Sequence, residues 1–158
     1  LFMAQSLNGF IADEDGSEEF LSDESWHTFK KLAEKFGCFV IGRKTHDAVS
    51  KWENFSFDDI DAKMIVVSKS RIVQSPKEAV ETAERLGFNK ILLVGGSKLN
   101  TSFIEQNLID ELIINVEPVI IGLGVKIFAE EKFEKKLNLI ETKKLSEGII
   151  QLHYKVNK

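Results

Sequence analysis

The sequence predicts a three-layer α/β domain: a mostly parallel central sheet, helices on both faces, and antiparallel strands added at one edge. Three observations carry this prediction. Short apolar runs alternate with segments of helical period along the first two thirds of the chain. The last third, "KLNLIETKKLSEGIIQLHYKV", reads instead as two strands around a turn at Ser146–Gly148. The 158 residues contain no repeat, linker or low-complexity tract, so residues 1–158 are read as one domain with one core.

The elements follow in order. "LFMAQ" (1–5) reads as a strand, and "NGFIADEDGSEEF" as a polar loop. In "SDESWHTFKKLAEKF" (22–36), Trp26, Phe29, Leu32, Ala33 and Phe36 make one apolar helix face, with Ser22 as the N-cap. "CFVIG" (38–42) is a buried strand leading into a helical "RKTHDAVSKW", and "KMIVVSKS" (63–70) is a strand ending in small polar residues. "SPKEAVETAERLG" (75–87) carries a full helix signature: Ser75 as cap, Pro76 at the first position, Glu78 three after the cap, and Gly87 at the end. "KILLVGG" is a strand, "SKLNTSFIEQN" a helix and "DELIINVEPVII" a strand.

Composition excludes several function classes. The net charge of −4 and the lack of a Lys/Arg cluster with interleaved aromatics argue against nucleic acid as a partner. No run approaches the roughly 20 apolar residues of a membrane helix, and no signal-peptide pattern is visible, so no membrane partner is expected. The single Cys38 cannot form an internal disulfide, which fits a reducing cytoplasm; inside "GCFVIG" it reads as a small buried hydrophobe rather than a catalytic thiol. His27, His46 and His153 are scattered over two helices and a strand, and no metal site is expected from them. The phosphate-loop, G-x-G-x-x-G and G-x-S-x-G patterns are all absent.

What remains is a ligand at the carboxyl ends of the parallel strands. Three strand ends carry residues suited to an anion: Gly42-Arg43-Lys44-Thr45, Ser68-Lys69-Ser70-Arg71 and Gly95-Gly96-Ser97. Glycines admit backbone N–H groups and a helix N-terminus close to a phosphate. The serines and cations of 68–71 suit a further terminal phosphate such as the 2′-phosphate of NADP, although each cation taken singly reads equally as a solvated charge. In "LIINVEPV", polar Asn115 and Glu117 share a strand face with Ile113. A ligand pocket, a hydrogen-bonded structural role or a subunit contact would each account for them.

"MAQSLNGFIADEDG", "VIGRKTHDAV", "IVVSKS", "LLVGGSKLN" and "DELIINVEPVIIGLGVKIF" occur in the order seen in the dihydrofolate reductase-like superfamily, which the chain resembles over roughly residues 3 to 156. That superfamily holds the dihydrofolate reductases and the reductase domain of riboflavin biosynthesis. "GRKT" resembles the former most, whereas "SLNGFIA", "GGSKLN" and "EPVIIGLGVKIF" look more like the latter. The resemblance implies the dihydrofolate reductase-like fold, NADPH as hydride donor, a pterin or pyrimidine substrate, and the homodimers common among relatives. It assigns Gly95 and Gly96 to the cofactor pyrophosphate, with Ser97, Lys98 and Leu99 opening the helix beside them. Gly42, Arg43, Lys44 and Thr45 match the cofactor turn, Ser68, Lys69 and Ser70 the 2′-phosphate segment, and Ala4 and Ile11 the positions flanking the nicotinamide.

The substrate side departs from the superfamily. Where dihydrofolate reductases carry a carboxylate early in the first long helix, the aligned position is Ser25 or Trp26, so Glu24 or Asp23 would have to supply it, with Glu117 as a further candidate acid. The "LPW" stretch is missing, and Ser17 and Phe20 are expected to line the pocket in its place, together with Ser25 and Asn115. The "DDPxLT" segment of the riboflavin reductases is missing too; "WENFSFDD" stands there. The expected reaction is hydride transfer from NADPH to dihydrofolate. The alternatives are reduction of 5-amino-6-(5-phosphoribosylamino)uracil and NADPH binding without turnover.

Overall fold

A computed structural model describes residues 1–52 and 55–158; Glu53 and Asn54 of the 52–59 stretch lie outside the described residues. The first parallel unit forms as expected. Strand β3 (Cys38–Gly42) lies between β4 (Lys63–Val67) and β5 (Leu92–Leu93), parallel to both. Its side chains alternate between two cores. Cys38 and Val40 join one with Ala79, Ala83, Phe103 and Ile104, while Phe39 and Ile41 join the other with Phe29 and Ala33. Two-residue periodicity in one buried strand thus sets helices on both faces of the sheet.

The helices begin and end where their caps demand. Helix α1 (Asp23–Phe36) starts at Ser22, whose hydroxyl accepts from the Ser25 N–H, and stops at Gly37, which takes the left-handed conformation (φ 69°). Helix α2 (Arg43–Val49) leaves β3 directly, and α3 (Pro76–Arg85) is capped by Ser75, which accepts from the Glu78 N–H. Helix α4 (Ser97–Glu105) follows β5. Phe29 and Ala33 of α1 pack on one sheet face, and Ala79 and Ala83 of α3 with Phe103 and Ile104 of α4 pack on the other.

The remaining strands add the antiparallel part. β1 (Phe2–Ser6) runs parallel to β6 (Glu111–Glu117), beside which β9 (Ile150–Val156) and β8 (Leu137–Lys144) are antiparallel. β2 (Phe10–Asp13) pairs antiparallel with β7 (Gly124–Lys126). The strands are thus mixed as expected, parallel in the β4-β3-β5 group and antiparallel toward the C-terminal strands, and the segment expected as a polar loop supplies β2, with Ile11 and Ala12 buried. Among the described residues no strand pairing joins β1 to β5. Shared cores bridge the two groups instead: Phe2 packs with Phe39 and Leu92, and Leu112 and Ile114 pack with Val40 and Leu93.

The turn between β1 and β2 is built by "SLNG". Ser6 Oγ accepts from the Phe10 N–H at 2.9 Å and donates to Asn8 Oδ1. Asn8 in turn brackets the backbone of Ile121, donating to its carbonyl at 2.7 Å and accepting from its N–H at 3.1 Å. Cys38 is fully buried, and burial pushes its thiol up to about 11, as befits an inert core residue.

Candidate active site

Because β4, β3 and β5 are parallel, their carboxyl ends share one edge, which brings the three anticipated segments side by side. The Gly42 N–H donates to the Gly95 carbonyl at 2.7 Å, tying the ends of β3 and β5 together. Gly95 has φ 98°, and the Gly95–Gly96 peptide is cis. A Cβ on Gly95 would lie 3.2 Å from Met3 Sδ, and one on Gly96 would lie 2.7 Å from Thr45 Oγ1. Met3 and Thr45 thus pack against the glycine backbone, and the positive φ of Gly95 disfavours any side chain there. Helix α4 starts here with no side-chain cap; the Asn100 N–H bonds the Gly96 carbonyl, and the N–H groups of Ser97, Lys98 and Leu99 form the orphan first turn. That end carries the positive pole of the helix.

The flanking segments differ in readiness. Arg43 is exposed and forms an ion pair with Asp47 at 3.2 Å, a surface contact of small energetic weight. Lys44 is exposed. The Ser68–Arg71 segment is a tight turn: the Ser70 N–H donates to Ser68 Oγ, the two hydroxyls are 3.0 Å apart, and the Arg71 N–H bonds the Ser68 carbonyl. Lys69 and Ser70 project into solvent from it.

Against the glycine edge opens a cavity of about 70 Å³ that is open to solvent on one side. Met3 and Ala4 of β1, Ile11 of β2, Ser25, Trp26 and Phe29 of α1, Thr45 and Val49 of α2, and Phe57, Val94 and Gly96 all line it. Its wall is overwhelmingly apolar and aromatic, with few polar groups, which is the composition of a small-ligand site. Of the residues singled out in the sequence, Ala4, Ile11, Ser25, Thr45 and Gly96 meet in this one space.

Others do not reach it. Phe20 lies in a separate surface depression with Asp13, Glu14 and Asp15 and the 119–123 segment. Ser17 is spent in a turn, its carbonyl accepting from the Asp13 N–H and its own N–H donating to Asp15 Oδ1. The loop lines the cavity through Glu18 and Leu21 instead. Asp23 is exposed, and neither it nor Glu24 contributes to the wall. Trp26 and Phe29 were legible only as the apolar face of α1; part of that face borders the cavity.

Asn115 and Glu117 lie one layer behind, fully buried or nearly so at 0% and 2% exposure. Glu117 Oε1 accepts from Ser25 Oγ at 2.5 Å, Ser22 Oγ at 2.9 Å and the Ser22 N–H at 3.3 Å. Asn115 Nδ2 donates to Ser25 Oγ at 3.1 Å, and Gln151 Nε2 donates to Asn115 Oδ1 at 2.9 Å. Of the three explanations open for these polar strand residues, the structure shows a hydrogen-bonded one: they anchor the start of α1 and hold Ser25 at the cavity wall.

The one ionisable side chain on the wall among the described residues, Glu18, carries no signal in the sequence. Desolvation of the half-buried Glu18 carboxyl against the apolar wall raises it to about 7, with no neighbouring charge or hydrogen bond offsetting the shift.

Comparison with known proteins shows the family. The model of the RibD C-terminal domain matches residues 1–151. The chain belongs to the RibD C-terminal domain family. This family falls within the dihydrofolate reductase-like superfamily, as the motifs implied. Two similar proteins of Bacillus subtilis (strain 168) are uncharacterized: YwjB, 29% identical over 98% of this chain and 95% of its own length, and YyaP, 26% identical over 99% and 94%. Solved structures share the fold. A putative riboflavin biosynthesis protein from Shewanella sp. PV-4 superposes with a TM-score of 0.83 at 23% identity, covering 99% of this chain and 97% of that one. A pyrimidine reductase-like protein from Corynebacterium diphtheriae gives 0.78 at 15% identity, covering 99% and 90%. The diaminohydroxyphosphoribosylaminopyrimidine deaminase/5-amino-6-(5-phosphoribosylamino)uracil reductase from Thermotoga maritima gives 0.73 at 15% identity, covering 99% of this chain and 55% of that one.

RibD C-terminal domain membership makes this a reductase-family chain of the riboflavin branch. Dihydrofolate as the preferred substrate finds no support in these likenesses. Among the described residues no helix is long and apolar enough to cross a membrane, and no group of three or more His, Cys, Asp or Glu side chains is arranged to hold a metal.

Proposed function

We propose that this chain is an NADPH-dependent reductase of a small pyrimidine bearing a C=N bond, chemically akin to 5-amino-6-(5-phosphoribosylamino)uracil, rather than a dihydrofolate reductase. The observation that carries this reading is the apolar cavity opening directly against the Gly95–Gly96 edge, with Thr45 and Gly96 common to both. The residues fit the cofactor: the first turn of α4 has no side-chain cap, which leaves its N–H groups for a pyrophosphate, and the residue before it is a glycine. Ser68, Lys69 and Ser70 would meet the 2′-phosphate, and Ala4 and Ile11 would flank the nicotinamide. Bound NADPH supplies a hydride.

The chain's own part is positional. The aromatic and aliphatic wall excludes water from the reacting centre, and Ser25, fixed from behind by Glu117 and Asn115, orients a polar edge of the substrate. Loss of NADPH absorbance on mixing with 5-amino-6-(5-phosphoribosylamino)uracil, with dihydrofolate run in parallel, tests the reading. Turnover of the pyrimidine is expected. Turnover of dihydrofolate alone would overturn the pyrimidine assignment, and NADPH binding with neither reaction would leave a binding module.

A further inference from the structure

Glu18 is the single ionisable side chain on the cavity wall among the described residues. The elements around it, β1, β2, α1, β3, α2 and the 94–96 segment, turn only uncharged groups to that space. The acids nearby on its own loop face elsewhere or stay outside: Asp13, Glu14 and Asp15 border the separate depression, Glu19 is exposed to solvent, and Asp23 and Glu24 are absent from the wall. Glu18 is also held in place by its backbone. The Ser17 carbonyl accepts from the Asp13 N–H at 2.8 Å, and the Glu18 carbonyl accepts from the Leu21 N–H at 3.0 Å, so a closed turn lies on each side. The other polar groups of the wall are the hydroxyls of Ser25 and Thr45, and the Ser25 proton is already committed to Glu117. No other candidate acid named from the sequence has access, since Glu117 is bonded behind the wall.

We propose that Glu18 is the proton donor of the site, passing its carboxyl proton to the substrate nitrogen as hydride reaches the adjoining carbon. This rests on the reductase reading above. The balance is simple: hydride from the reduced nicotinamide adds to the carbon of C=N, the π pair moves to nitrogen, and nitrogen takes the proton of Glu18. The substrate gains C–H and N–H, the nicotinamide is oxidised, and the Glu18 carboxylate regains a proton from water. For a glycosylamine, the C=N is its open-chain imine form. A carboxyl that burial keeps protonated to about pH 7 suits this task, because a general acid works best with its pKa near the operating pH.

The test compares wild type, Glu18→Gln and Glu18→Asp as full chains. Single-turnover hydride transfer from NADPH to 5-amino-6-(5-phosphoribosylamino)uracil is followed from pH 5 to 9. The wild-type rate should fall as pH rises through about 7. Glu18→Gln should lose roughly 100-fold or more in rate and lose that pH dependence, with Glu18→Asp between them and NADPH affinity unchanged in both. A Glu18→Gln variant with wild-type rate and pH profile would overturn the proposal. In parallel, the wild-type minus Glu18→Gln infrared difference reads the protonated-carboxyl stretch with NADPH present. A band that titrates near pH 7 supports the proposal, and a carboxylate already ionised at pH 6 overturns it. If the wild type fails to turn over the pyrimidine, the substrate reading falls on that result alone, and the infrared titration still decides the state of Glu18.

Discussion

A Cβ on Gly96 would lie 2.7 Å from Thr45 Oγ1, so the start of α4 and the start of α2 approach within the width of one methyl group. Gly96→Ala must push Thr45 off its rotamer or part the two helices, at a cost of about 1–3 kcal/mol in urea denaturation. Pairing it with Thr45→Ala removes the obstructing atom. The double variant should be more stable than the sum of the two single effects predicts, by about 0.5 kcal/mol or more. Strict additivity would show that the two residues do not obstruct each other.

Glu117 gathers two hydroxyls and one N–H on a single oxygen in a site with 2% exposure. Removing the carboxylate strands those donors. Glu117→Ala is expected to lower stability by about 3 kcal/mol or more, and Glu117→Gln, which keeps an acceptor, by less. The denaturant midpoints of the two variants, compared with wild type, check the order.

Under the proposed function the turn at Ser68–Ser70 would set cofactor choice. Each charge-assisted contact to a 2′-phosphate is worth roughly 1.5–3 kcal/mol, so Ser68→Ala with Lys69→Ala should reduce the preference for NADPH over NADH by a factor of ten or more. Titration of both nucleotides by tryptophan fluorescence reads the ratio. An unaltered preference would move the 2′-phosphate away from this turn.

Glu18 also makes stability depend on pH. Its folded value of about 7 lies above the ordinary 4.5, so between these values the folded state holds a proton that the unfolded state has released. Its contribution is fully present below pH 4.5 and is lost as pH rises through about 7, amounting to roughly 3 kcal/mol at most. Glu18→Gln cannot ionise. Its stability relative to wild type should therefore rise across that window and level off above it, as read from urea midpoints at pH 5 and pH 8.

The fold was most legible where local signals and burial agree. β3, β4, α1 and α3 stand where apolar runs, caps and the Pro76 start placed them, because those cues act within a few residues. β2 was read as loop because Phe10–Asp13 is short and its partner strand begins at Gly124, too distant to give a hairpin signature. β6 ends at Glu117 rather than continuing to Ile121, since Pro118 brings no N–H to a ladder. The glycine edge could be read from its bareness. Glu18 could not, because its loop looks solvated in the sequence and its apolar surroundings come from segments as distant as β1, α2 and Val94.

The wiring around Ser25 sets the hydrogen-bond polarity of the cavity. A hydroxyl owns one proton and two lone pairs. The proton points to Glu117 and one lone pair receives Asn115 Nδ2, which Gln151 holds in that orientation. One lone pair is left. Toward a ligand Ser25 is thus an acceptor only, matched by an N–H or O–H and mismatched by a carbonyl, and Gln151, two hydrogen bonds away on the neighbouring strand β9, has a share in choosing between them.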